Sequence, residues 1–117
     1  MTDRRKVITR ETKETNISLE LDLDGRGRWE ISTGIKMFDH LLSQLARHGV
    51  FDIKLSATGN DPHHLMEDVG ICLGKAITEA LGEKRGIART ADANVPMDDA
   101  LVGVVLDLGG RAYTVLE

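Results

Sequence analysis

The segment Leu21-Asp22-Leu23-Asp24-Gly25-Arg26 returns 85 positions later as Leu106-Asp107-Leu108-Gly109-Gly110-Arg111, identical at five of six positions. In both copies an apolar run precedes the motif and an aromatic residue follows its arginine, Trp29 in the first and Tyr113 in the second. A match this short also fits chance agreement between two strand-and-turn segments. Taken as a repeat, it means one supersecondary unit built twice, so the fold of the first unit constrains everything after it. Residues 1–90 then form a first half-domain and residues 91–117 open a second. Glu14 and Asp99 correspond, each seven residues before its motif. On this reading Glu117 falls inside a strand, and the chain looks cut short before the second unit's helices.

Within the first unit the hydrophobic period changes several times. Arg4 to Thr12 is a weak strand candidate. Ile17, Leu19, Leu21 and Leu23 alternate with polar residues, the period of a half-buried strand. Asp24 to Gly27 supplies turn residues, and Trp29 and Ile31 begin a return strand, which predicts a hairpin. Ser32 and Thr33 are candidate caps for a helix whose apolar positions are Ile35, Phe38, Leu41, Leu42 and Leu45, with Gly49 ending it. Phe51 to Ala57 alternates again. After the turn at Gly59-Asn60-Asp61-Pro62, a second helix is expected from about His63 to Leu81. The expected class is α+β: three strands, a helix, a strand and a helix, with both helices on one face of one sheet.

Charge and cysteine usage narrow the function classes. The net charge of −4 has no concentrated basic patch, which argues against a nucleic-acid surface. No run approaches the length of a transmembrane span, and Met1 to Lys6 lacks a signal-peptide apolar region, so no membrane partner and a cytoplasmic location are expected. Cys72 is the only cysteine and sits in an apolar stretch, so neither a disulfide nor a thiolate metal site is expected.

The sharpest chemical feature is His63-His64-Leu65-Met66-Glu67-Asp68. On a helix, His63 and Glu67 are four apart and His64 and Glu67 three apart, so all three can converge on one side. Two imidazoles and a carboxylate suit manganese, iron, cobalt or zinc. The order is not that of the zincins, nor of their inverted relatives. A solvated helix N-terminus, capped by Asp61 with Pro62 first and acids complementing the dipole, accounts for Glu67 and Asp68 but not for two adjacent histidines. On the first helix, Lys36, His40, Gln44 and His48 form a polar stripe, with Asp39 a candidate to orient an imidazole; an exposed polar face fits these residues equally. Lys84, Arg85 and Arg89 follow the second helix, where they either offset its dipole or hold an anion; Arg111 is surface or an anion ligand.

These stretches together resemble the imidazoleglycerol-phosphate dehydratase family over essentially the whole chain. The matching motifs are Thr33-Gly34-Ile35-Lys36-Met37-Phe38-Asp39-His40-Leu41-Leu42, Gln44-Leu45-Ala46-Arg47-His48-Gly49, His63-His64-Leu65-Met66-Glu67-Asp68-Val69-Gly70, Gly82-Glu83-Lys84-Arg85-Gly86-Ile87 and Val95-Pro96-Met97-Asp98-Asp99-Ala100. The resemblance implies two similar half-domains in one chain, large homo-oligomers, and dehydration of imidazole glycerol phosphate to imidazole acetol phosphate in histidine biosynthesis. It implies a cofactor of two manganese ions per complete site. Carried over by motif, His40, His63, His64 and Glu67 are expected metal ligands, and Glu14 and Glu67 catalytic residues. The expected substrate contacts are Glu14, His40, His48, His63, Glu67, Arg89 and Arg111, the arginines at the phosphate end. Two departures stand out: the loop Asn60-Asp61-Pro62 is shorter than usual for the family, and no second histidine pair follows the first. The chain alone is therefore expected to hold manganese weakly and not to turn over. A non-catalytic metal-binding or assembly fragment of the same fold is the alternative.

Overall fold

The computed structural model describes residues 3–117. They divide into two compact units, one ending at Gly82 and one running from Glu83 to Glu117. The first unit contains β1 (Arg5–Glu11), β2 (Thr15–Asp22), β3 (Trp29–Ser32), α1 (Lys36–Gly49), β4 (Asp52–Gly59) and α2 (Pro62–Leu81). This is the expected α+β succession.

The pairing differs from expectation at one place. The sheet order is β1-β2-β4-β3, so β2 and β3 do not form a hairpin. Instead β4 lies between them, antiparallel to β2 and parallel to β3. The reason is side-chain pattern. Register sets Ile17 opposite Ala57, Leu19 opposite Leu55 and Leu21 opposite Ile53, six inward residues that are all buried. The four residues of β3 carry only Ile31 toward the core, and Trp29 is exposed. A long apolar strand beside β2 removes more surface from water than a short one. The parallel β3–β4 pair then needs a crossover, which α1 provides.

The connection from β2 to β3 is held across the start of β4 by Asp52. One carboxylate oxygen accepts the backbone N–H groups of Arg26 (2.9 Å) and Arg28 (3.0 Å), while the other meets the Arg28 guanidinium at 3.1 Å. Gly25 passes so close that a Cβ would lie 2.4 Å from the Asp52 backbone nitrogen, which excludes any side chain there. The N–H groups of Arg26 and then Arg28 hold the Asp52 carboxyl below its ordinary 3.8, at about 2. A depressed carboxyl contributes stability that is present above the unfolded-state value and lost as pH falls toward the folded-state one. Stability measured by urea unfolding is thus expected to drop between about pH 4 and pH 2, and Asp52→Asn should flatten that drop. An unchanged pH slope in the variant would remove the clasp from the account.

Both helices cover the same sheet face. Leu42 and Ala46 of α1 and Leu65, Val69, Cys72 and Ala76 of α2 are buried in one cluster with the inward residues of β2 and β4. The helical spacing of these positions is that of an amphipathic face. Burial pushes the Cys72 thiol up, which keeps it protonated and inert. Away from the sheet, Met37, Leu41, Leu45, Met66 and Ile71 remain exposed. No helix among the described residues is long and apolar enough to cross a membrane.

The start of α1 departs from the sequence expectation, while its end at Gly49 agrees with it. Its N-cap is Ile35, without a side-chain cap, rather than Ser32 or Thr33. Thr33 instead receives the Ile35 N–H on its hydroxyl, and Asp39 reaches back to accept the Thr33 N–H (3.1 Å) and hydroxyl. At the other end Gly49 is the last helical residue, and Val50 takes the left-handed conformation with φ 57°. Gly49 serves close packing, since its Cβ would stand 2.8 Å from the Phe51 ring.

The second unit contains β5 (Thr90–Met97) and β6 (Ala100–Asp107), an antiparallel hairpin. Its register runs from Thr90↔Asp107 to Met97↔Ala100. Shifted by 85 positions, the Arg5↔Asp22 pair of β1 and β2 falls on Thr90↔Asp107. The closing backbone bond agrees too: Leu23 N–H to Arg4 O (3.1 Å) matches Leu108 N–H to Arg89 O (3.0 Å). Every residue of β5 and β6 is exposed, including Val95, Met97, Leu101 and Val105. A two-stranded hairpin without a covering layer is marginal in water. Amides of β5 and β6 are therefore expected to exchange at least about a hundredfold faster than those of Leu19 and Leu55. Equal protection would show that the hairpin is held by packing.

Candidate functional site

Helix α2 starts abruptly because Asp61 and Pro62 make it do so. Asp61 accepts the His63 N–H on its side chain at 2.8 Å, and Pro62 fills the first helical position, where no N–H is needed. This places His63 and His64 in the exposed first turn and Glu67 one turn on. His63 Nε2 lies 2.7 Å from Glu67 Oε1, and His64 Nδ1 lies 3.8 Å from Glu67 Oε2. His64 also reaches Asp61, Nε2 to Oδ2 at 3.9 Å. The two rings stand edge to face, with centroids 5.6 Å apart.

One expectation changes with this geometry. Glu67 and Asp68 are not first-turn acids; no acidic residue occupies the first turn of α2. The dipole effect fades beyond that turn, so it does not account for them. Among the described residues, moreover, no three His, Cys, Asp or Glu side chains close around a common point. Within this chain Glu67 holds His63 directly, and His40 is not gathered with the pair. His40 is exposed on α1, and its carbonyl accepts the Ser43 hydroxyl at 2.6 Å. The donors present, two imidazoles and a carboxylate on one exposed helix face, suit a divalent metal as part of a coordination set.

The other anticipated residues are placed as follows. His48, in the last turn of α1, meets Gln44 Oε1 through Nε2 at 3.1 Å. Asp39 is spent on Thr33 and does not orient an imidazole. Glu14 is exposed in the turn between β1 and β2, while its main chain is tightly held. Its N–H donates to Thr12 Oγ1 (3.1 Å), and its carbonyl accepts the Asn60 N–H (3.3 Å) just before the α2 cap. In the second unit Arg89 forms a two-point pair with Asp107, at 2.6 and 3.1 Å, which lowers the Asp107 carboxyl. Arg111 is exposed. Lys84 and Arg85 lie beyond the helix, whose last turn has no basic residue, and Arg85 pairs with Glu83 at 3.0 Å.

Sequence inspection missed the contact that joins these parts. The Thr15 hydroxyl, buried at the start of β2, donates to Asp68 Oδ2 at 2.7 Å. The only signal was the pair Thr12 and Thr15 flanking Glu14, and its partner on α2 lies 53 residues away from Thr15.

Comparison with known proteins bears on this geometry. The sequence model of the imidazoleglycerol-phosphate dehydratase family matches residues 33–117. The imidazoleglycerol-phosphate dehydratase of Dehalococcoides mccartyi strain CBDB1 is 60% identical over 117 residues, which cover all of this chain and 60% of that protein. That of Methanosarcina mazei is 57% identical over 113 residues, 94% of this chain and 59% of that protein. The chain thus spans about 60% of the length of these relatives. Among solved structures, IGPD from Pyrococcus furiosus in complex with (S)-C348 superposes with a TM-score of 0.73 and 40% identity, over 89% of this chain and 56% of that one. The imidazoleglycerol-phosphate dehydratase of Staphylococcus aureus N315 gives 0.76 and 29%, over 92% and 60%.

Proposed function

This chain belongs to the imidazoleglycerol-phosphate dehydratase family, and from that membership we propose that it supplies a metal-ligand helix and an acid–base turn for dehydrating imidazole glycerol phosphate. The observation that carries the proposal is the grouping of His63, His64 and Glu67 on one exposed face of α2. His40, His63, His64 and Glu67 would hold manganese, with further ligands from outside the described residues. When bound, the metal would act as a Lewis acid toward the substrate's imidazole and template its position.

The chain's own residues have defined tasks. The proton to be removed sits beside an alcohol carbon and is not acidic, while hydroxide leaves poorly, so a placed carboxylate is needed. Glu14, exposed on a held turn, would take that proton from carbon and pass it to the departing hydroxyl, which leaves as water, and the enol left behind becomes the ketone. His48 would contact substrate in place of Gln44, and the forked donors of Arg89 and Arg111 would suit its phosphate oxygens. Residues 1–90 and 91–117 are taken as a first half-domain and the opening of a second, as the shared hairpin register suggests. Assembly into homo-oligomers would cover Met37, Leu41 and Leu45, which are exposed on α1.

A chimera tests this directly: residues 1–117 replace the matching stretch of the Dehalococcoides mccartyi relative, and product formation is followed with manganese. Turnover within about tenfold of the parent relative is expected. A folded, manganese-loaded chimera without turnover would favour the non-catalytic alternative, a metal-binding or assembly role.

A further inference from the structure

We propose that Asp68 is a positioning residue that fixes the Glu14 turn onto helix α2 through a one-way chain of hydroxyls; this rests on the acid–base role of Glu14. The chain can be traced atom by atom. An ionised carboxylate only accepts hydrogen bonds, so the Thr15 hydroxyl must give its proton to Asp68 Oδ2, 2.7 Å away. Thr12 Oγ1 stands 3.0 Å from Thr15 Oγ1, and with the Thr15 proton committed, Thr12 must be the donor of that bond. The Thr12 oxygen then has lone pairs for the N–H groups of Glu14 (3.1 Å) and Thr15 (2.9 Å), and it takes both. The Asp68 carboxylate therefore sets the direction of both hydroxyl bonds, and the chain ends on the N–H donors of Glu14 and Thr15.

The surroundings hold that carboxylate in position. Thr15 is 3% exposed, so its side chain is largely shielded from solvent. Arg10 Nε, buried and without a hydrogen bond, lies 3.4 Å from Asp68 Oδ1. On the far side Gly59 lets the strand approach, since a Cβ there would stand 3.0 Å from the Glu14 carbonyl oxygen. The corresponding positions of the second hairpin, Met97 and Ala100, have no hydroxyls, and its turn uses Asp98 at φ 53°. The device belongs to the first turn alone. It links the residue after Glu14 to the residue after Glu67, so the proposed acid–base group and metal-ligand helix move as one body.

The test has two readouts. In the full 117-residue chain, amide exchange by NMR is expected to speed up about tenfold at Glu14 and Thr15 in Thr15→Val, with Leu19 and Leu55 unchanged and Thr15→Ser restoring protection. Thr12→Val, at an exposed site, should loosen the same two amides if Thr15→Val does not fold. In the chimera, Thr15→Val and Asp68→Leu are expected to lower kcat about tenfold at constant KM and manganese content, with Thr15→Ser active. Unchanged exchange in both threonine variants would overturn the proposal. So would loosened amides with full kcat while Glu14→Gln is inactive. An active Glu14→Gln would instead sink the acid–base role, leaving exchange to judge the hold on the turn.

Discussion

Glu67→Gln in the chimera is expected to lose manganese and dehydration together. The substitution keeps the shape of the side chain and its place on α2, so the helix and its Asp61 cap should survive. What changes is the charge. A carboxylate that now sits 2.7 Å from His63 Nε2 becomes a neutral amide, a much poorer ligand for a hard divalent cation. Even residues that only support a ligand cost ten- to a hundredfold in metal affinity, so loss of the ligand should weaken manganese by about a hundredfold or more. Activity should fall at least in proportion. Full metal occupancy in the variant would show that Glu67 is not a ligand, and the shared role of the His63, His64 and Glu67 face would go with it.

Glu14→Gln should separate chemistry from binding. Glutamine preserves the backbone bonds to Thr12 and Asn60, because they involve only the main chain of residue 14. It cannot accept and return a proton. General acid–base groups typically contribute about 10²–10⁴ in rate, or roughly 3–5 kcal/mol, so kcat should fall by that range. Manganese content and KM should hold, since Glu14 is not expected among the ligands. A loss of metal equal to that of Glu67→Gln would move Glu14 into the coordination set. A full kcat would assign the proton to another group.

The contrast between these variants reflects what the sequence made legible. Period and punctuation located every strand and helix of the first unit, because Ile17, Leu19 and Leu21 alternate cleanly and Asp61-Pro62 marks a helix start by its own chemistry. The 85-residue offset anticipated the opening of a second copy, and β5 and β6 share the register of β1 and β2, a pairing the sequence did not reveal. Strand neighbours were not legible. A turn-like Asp24 to Gly27 points to a hairpin by local rules, and only β4, with Ile53, Leu55 and Ala57 in register, reveals the better partner for β2. Long-range polar contacts were hidden for the same reason. Asp52 holding Arg26 and Arg28, and Asp68 holding Thr15, join residues that proximity in sequence cannot pair. Asp39 shows the converse, since its neighbour His40 suggested an imidazole partner and the carboxylate went to the helix entry instead. The family resemblance supplied roles for His40, His48 and Arg89 that local spacing left open.

Anomalous scattering from manganese in crystals of the active chimera is the most direct measurement. A peak within coordination distance of the His63 and His64 rings and the Glu67 carboxylate is the predicted result. Crystals from a manganese-dependent, active preparation with no peak there, and Glu67 still joined to His63, would contradict the account at its centre.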